Sequence, residues 1–313
     1  MRSALIAAAC AAAAPTLAQP ELALTTTFQL PANAAFDVQP DGTLLAINGD
    51  GIVLQQDAIN GDTFFASGTI GTVNANAFAP SFVAISPDGQ SVAVGNNEFN
   101  TNNAVSFFDT TELLAPGAVV PLNTVITPNF KADWAGNTTL FVAGADSATF
   151  GTVVNQLFIT GNAAETVIAP AGGFSGGIAV DNNTLYVGDG ASGDVRAFTD
   201  STITPAPAEF TAGTFITSAT SASDIDTLGD LLLVAGAVFG GEGNATVFDQ
   251  ATGLSTVLTP AGADAFYGGY FNTFTNQLVV TANGTAYVYD IIPAPATLAL
   301  APAALMVIRR RRA

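Results

Sequence analysis

The sequence contains no histidine, and its single cysteine, Cys10, lies near the N-terminus. Without histidine there is no Ser-His-Asp triad and no imidazole-rich metal centre. With no thiol beyond Cys10, the rest of the chain has no disulfide, no cysteine nucleophile and no thiolate metal site. Basic residues are almost as scarce. Of the seven, Arg2 sits at one end and Arg309, Arg310, Arg311 and Arg312 at the other, which leaves Lys131 and Arg196 to face all 25 carboxylates. So acidic a surface repels phosphate backbones, and no nucleic-acid partner is expected. It favours solubility and attracts cations or basic partners. Stretches rich in Glu, Lys, Leu and Arg, the mark of long helices, are also missing.

The two ends read as addresses. Arg2, the apolar run 4–14 and the small residues of Thr16-Leu17-Ala18 form the three parts of a secretory signal peptide, residues 1–18, with cleavage before Gln19. Acylation at Cys10 is the weaker alternative, because Ala7-Ala8-Ala9 lacks the larger aliphatic residue expected ahead of a lipid-bearing cysteine. At the other end, Ile292-Pro293-Ala294-Pro295 precedes an apolar segment, interrupted by Pro302, and then the four arginines. That segment is shorter than the ~20 residues that span a bilayer comfortably, and the arginines favour the cytoplasmic side. The layout of residues 292–313 resembles the PEP-CTERM sorting signal, with Ala294 where that family usually has Glu. The resemblance implies processing by an exosortase-type transpeptidase acting around Pro293 and Pro295, with Arg309 to Arg312 as the basic stop. The chain is thus expected to be exported to the cell envelope or beyond, anchored transiently or permanently by its tail.

Between the ends, residues 19–291 repeat. The clearest copy runs Phe82-Val83-Ala84-Ile85, Pro87-Asp88-Gly89, Val92-Ala93-Val94-Gly95 and Val105-Ser106-Phe107-Phe108-Asp109. Related copies begin at Phe36-Asp37-Val38, Ala132-Asp133-Trp134, Ile178-Ala179-Val180, Asp224-Ile225-Asp226 and Gly269-Tyr270-Phe271. The loop after the second strand recurs every 44 to 49 residues, from Gly49 to Thr281. Several short strands in each period of that length mark a β-propeller. Pro-Asp-Gly supplies the turn, since Pro presets φ and Gly accepts φ > 0. The sequence therefore predicts an all-β propeller of six four-stranded blades. The sixth copy lacks an outer strand and a spare one exists at Leu24–Leu30, so the N-terminal strand is expected to complete the last blade. A seventh copy is not found, and an open solenoid would need caps that are not visible.

Ser86-Pro87-Asp88-Gly89 and the Val-x-Phe-x-Asp strand endings resemble exported propellers with YVTN- or NHL-like repeats, across residues 36–290. That group includes lactonases, ligand-binding modules and structural surface proteins, so the resemblance implies architecture more than activity.

Propellers work at one mouth of the central channel. The loops expected there carry Asn97 and Glu98, Asp146, Asp189 with Asp194, and Glu242. Their oxygens suit a hard cation, so Asp146, Asp189, Asp194 and Glu242 are the candidate metal ligands and calcium the candidate ion. The competing reading is turn residues that bond their own backbone. Lys131 stands just before the third innermost strand, where it could meet an anionic ligand, act as a nucleophile if desolvated, or pair with a carboxylate. Trp134, with Phe78, Phe130, Phe174 and Tyr267, could stack a sugar or peptide at the same end, or fill the core between blades. The resulting expectation is a non-enzymatic envelope or extracellular-matrix module with a polysaccharide or protein partner. The alternative is a calcium-dependent lactonase-like hydrolase, which needs only Glu, Asn and Asp ligands.

Overall fold

The computed structural model describes residues 20–71, 80–97, 103–173, 176–203, 206–237, 243–259 and 266–292. They form six antiparallel sheets arranged as a propeller. From the innermost strand outward, blade 1 comprises Ala34–Val38, Leu44–Asn48, Ile52–Gln56 and Phe64–Thr69; blade 2 comprises Phe82–Ile85, Ser91–Asn96, Ala104–Asp109 and Asn123–Ile126. Blade 3 contains Lys131–Ala135, Thr139–Ala145, Thr152–Phe158 and Glu165–Ala171, and blade 4 contains Ile178–Asp181, Thr184–Gly188, Asp194–Phe198 and Thr214–Ser218. Blade 5 is built from Asp224–Leu228, Leu231–Ala237, Gly243–Asp249 and Leu254–Leu258. Blade 6 takes Phe266–Asn272, Gln277–Ala282 and Thr285–Ile292 from the end of the repeat and Glu21–Gln29 from its beginning.

The hydrophobic pattern follows from position in the blade. Second strands are covered on both faces by neighbouring blades, so they read as continuous apolar runs such as Leu44-Leu45-Ala46-Ile47, all fully buried. Third strands are less uniformly buried, as in Ala104–Asp109, and outer strands bury one residue in two or fewer, as in Asn123–Ile126. The buried residues divide into six clusters, one at each blade-to-blade interface. Each fully buried Leu, Val or Phe contributes about 1.5–3 kcal/mol, so the ring is held by six cores of similar construction.

The closing strand pairs antiparallel with Thr285–Ile292 from Glu21↔Ile292 to Gln29↔Thr285, with a bulge between Leu24 and Thr26. Phe28, 1% exposed, plugs the core between blades 6 and 1. The Pro-Asp-Gly turns work as their chemistry requires. Gly42 and Gly89 sit at φ +85° and +70°, and Asp88 Oδ1 accepts from Ser86 Oγ and the Gln90 amide.

One feature departs from the repeat. Gly117–Ala118 runs parallel to Gly68–Thr69 and gives blade 1 a fifth strand. The short helix Thr110–Leu113, capped by Asp109, delivers it, and a Cβ on Gly68 would stand only 2.5 Å from the Leu113 carbonyl oxygen. Among the described residues no helix is long and apolar enough to cross a membrane.

Candidate functional site

A cavity of about 780 Å³ opens at the mouth of the central channel. Its rim is formed by loops entering the innermost strands, including Pro31-Ala32-Asn33 and Pro80-Ser81, and by second-to-third-strand loops such as Gly49-Asp50 and Asn283-Gly284. Its wall carries Asp37, Lys131, Asp133, Asp224, Asp226 and Tyr270.

Side-chain alternation along the innermost strands explains this lining. In each strand one set of residues turns to the preceding blade and the other to the following one. Asp37, Ala84, Asp133, Ala179, Asp226 and Tyr270 hold the same place in blades 1 to 6, each facing the next blade. Odd blades thus carry aspartate, and even blades carry Ala, Ala and Tyr.

The three aspartates make the same bonds. Oδ1 of Asp37, Asp133 and Asp226 accepts from the following amide (Val38, Trp134 and Thr227), 2.7 Å in every case. Oδ2 accepts across the blade interface from the amides of Ile85, Val180 and Phe271, each at 2.6 Å. These bonds favour the carboxylate, but burial opposes it and wins. Desolvation, with smaller repulsion from Asp133 and Asp224, raises Asp37 to about 7. Asp133 rises to about 6, chiefly by burial and in part by Asp224. Asp226 is pushed well above the ordinary carboxylate range by burial, with repulsion from Asp133 and Asp224. Burial and the nearby Asp37 also raise the Tyr270 phenol, whose ring meets Phe36 edge-on at 6.0 Å.

Two residues earlier in blades 3 and 5, towards the rim, stand Lys131 and Asp224. They reach past blade 4 to form an ion pair, Nζ to Oδ2, of 3.0 Å. The same Oδ2 accepts from the Gly269 amide of blade 6 at 3.0 Å. Glycines make room for the pair. A Cβ on Gly177 would lie 2.6 Å from the Asp224 carbonyl carbon, and one on Gly268 would lie 2.8 Å from Asp224 Oδ2.

Of the residues singled out from the sequence, Lys131 lies in this cavity and Phe130 on its rim. Trp134 is 4% exposed and turns instead to blade 2, edge-on to Phe107 at 5.9 Å. Asn97 is half-buried just after the second strand of blade 2. Glu98, Glu242, Phe78, Phe174 and the sorting residues Pro293, Pro295 and Arg309 to Arg312 lie outside the described residues.

Asp146 accepts from the Ala148 and Thr149 amides and from Thr149 Oγ1, bonds to the ionised form that lower its pKa. Asp189 accepts from the amides of Gly173 and Ala191 and from Ser192 Oγ. Asp189 and Asp194 meet in a second, smaller cavity of about 280 Å³ shared with Arg196 and Glu209. Arg196 donates to the Gly213 carbonyl and lies over Phe210 and Phe215, 5.5 and 5.8 Å from the ring centres. Among the described residues no three acidic side chains gather closely enough to hold a metal ion.

Sequence reasoning places Asp37, Asp133, Asp224 and Asp226 in innermost strands but gives them no role. The available signal is an aspartate inside an otherwise apolar innermost strand, recurring in alternate copies. No protein-family model matches the chain, and no curated protein does.

Proposed function

We propose that this chain is an exported, non-enzymatic binding or structural module of the cell envelope or extracellular matrix, and that the channel mouth is its binding site. The observation that carries the reading is the 780 Å³ cavity on the axis, a volume in the range of small-ligand sites. Four wall carboxylates face one ammonium, so the ligand that complements it is a small organic cation, extended enough to reach several carboxylates at once. The leader and the Pro-motif, apolar segment and arginine tail support export, and a sorting transpeptidase is the proposed partner at the tail. An envelope polysaccharide or protein is the proposed partner of the propeller surface.

The calcium-dependent, lactonase-like alternative needs several oxygens free to converge on one ion. Asp146 and Asp189 already accept from three and three local donors, respectively. Calcium titrated into the chelator-treated protein is therefore expected to give only weak, multivalent, salt-sensitive heat from the acidic surface. Tight one-to-one binding that disappears in Asp189→Asn would overturn the non-enzymatic reading and make lactone hydrolysis the activity to assay.

A further inference from the structure

We propose that Asp37, Asp133 and Asp226, held at equivalent places between blades 1–2, 3–4 and 5–6, form a proton-operated switch that sets the charge of the cavity. The proposal rests on the reading of the cavity as a cation-binding site, and extends it to how that site is regulated. It stands first on geometry. The three side chains occupy equivalent places, each joined to the next blade by a 2.6 Å bond. Each oxygen uses one lone pair for an amide, so a proton can be taken on a remaining lone pair without breaking either bond.

The groups that face them supply no counter-charge. Asp37 meets the Ile85 amide of blade 2 and the Tyr270 phenol of blade 6, with Asp133 and Asp224 across the channel. Asp133 meets the Val180 amide of blade 4, with Asp224 and Asp226 as further carboxylates. Asp226 meets the Phe271 amide of blade 6, Asp133 and its strand neighbour Asp224. At the equivalent places in the even blades Ala84, Ala179 and Tyr270 bring no cation. Among the described residues Lys131 is the only cation in the cavity wall, and Asp224 pairs with it. Ionising the three aspartates therefore adds like charges that no described residue of the wall neutralises, and this repulsion adds to the loss of hydration that chiefly raises their affinities for protons. Because they interact, they exchange protons as a set rather than singly.

The test is a carbon-13 NMR titration of the aspartate carboxyl carbons in the full-length chain from pH 4 to 9, with and without 1,4-diaminobutane. Three carboxyl carbons are expected to titrate above the ordinary carboxylate range, near 7 for Asp37 and near 6 for Asp133, each of the three assigned by its loss in Asp37→Asn, Asp133→Asn or Asp226→Asn. The amide signals of Ile85, Val180 and Phe271 should move at the same midpoints, an assignment that does not depend on the variants folding. The diamine should lower all three midpoints, because it favours the ionised set. Carboxyl shifts that stay those of ionised groups down to pH 4.5 would overturn the switch. Three carbons titrating as stated but indifferent to the diamine would support the switch and overturn the cation-binding reading.

Discussion

Removal of residues 19–31 is expected to abolish cooperative unfolding and turn the protein into an aggregating, partly structured species. Those residues carry the outermost strand of blade 6, and no other described segment lies in position to replace it. Its loss bares the backbone ladder of Thr285–Ile292 and uncovers part of Val288, which shares a core cluster with Phe28. A long apolar edge of that kind recruits other chains. It also removes Phe28 from the core it shares with Leu44, Tyr270 and Val279. Phe28→Ala alone is expected to cost about 3–5 kcal/mol, the usual range for deleting a buried phenylalanine. Thermal melting with light-scattering detection checks both changes. A truncated chain that stays monomeric and melts within a few degrees of the intact one would mean that the ring does not depend on this closure.

The protein is expected to be more stable at pH 5 than at pH 8, against the usual trend for a domain held by paired carboxylates. The folded protein raises the affinities of Asp37, Asp133 and Asp226 for protons above those of the unfolded chain, so folding takes up protons. Stability from this source is complete below the ordinary carboxylate range. It is lost as the pH rises through about 6 for Asp133 and about 7 for Asp37. A tenfold change in proton affinity corresponds to about 1.4 kcal/mol, so Asp37 and Asp133 together contribute on the order of 2–4 kcal/mol between pH 8 and pH 5, and Asp226 adds in the same direction. For a domain of this size that is roughly 5–10 °C in melting temperature. Asp88 and Asp146 act in the opposite sense, because local hydrogen bonds depress their proton affinities, but only at still lower pH. Surface repulsion among the carboxylates would give a similar trend, and salt separates the two. In 0.5 M NaCl the Debye length falls to about 4 Å, which silences the surface but not buried groups. A melting temperature independent of pH under those conditions would contradict the account of the channel.

The ring itself was legible because its cause is local and repeated. A strand covered on both faces must be apolar throughout, and Leu44-Leu45-Ala46-Ile47 or Leu231-Leu232-Leu233-Val234 can serve no exposed position. The missing outer strand of the last copy and the spare strand near the N-terminus are two halves of one deficit. The fifth strand of blade 1 left no such trace, since two residues, Gly117 and Ala118, carry no pattern.

The channel was legible only in part. Lys131 stood out as the one lysine, but its partner Asp224 is 93 positions away in sequence and meets it across blade 4, with Gly268 beside the pair. Trp134 lies on the right strand but towards its far end from the mouth, and a period of two turns it to blade 2. The three aspartates stood inside innermost strands with no role assigned to them. Their meaning depends on the partner amide in the next blade, which a single copy of the repeat does not contain.

The most direct test of the channel mouth as the binding site is calorimetric titration of 1,4-diaminobutane into the full-length chain at pH 8 in 0.5 M NaCl, compared with Asp224→Asn. The substitution removes one wall carboxylate and frees the Lys131 charge to repel the ligand. The expected result is one-to-one binding that survives the salt and weakens at least tenfold in the variant. Weak multisite heat that salt abolishes, the same in both proteins, would place the diamine on the acidic surface and contradict the channel as its site.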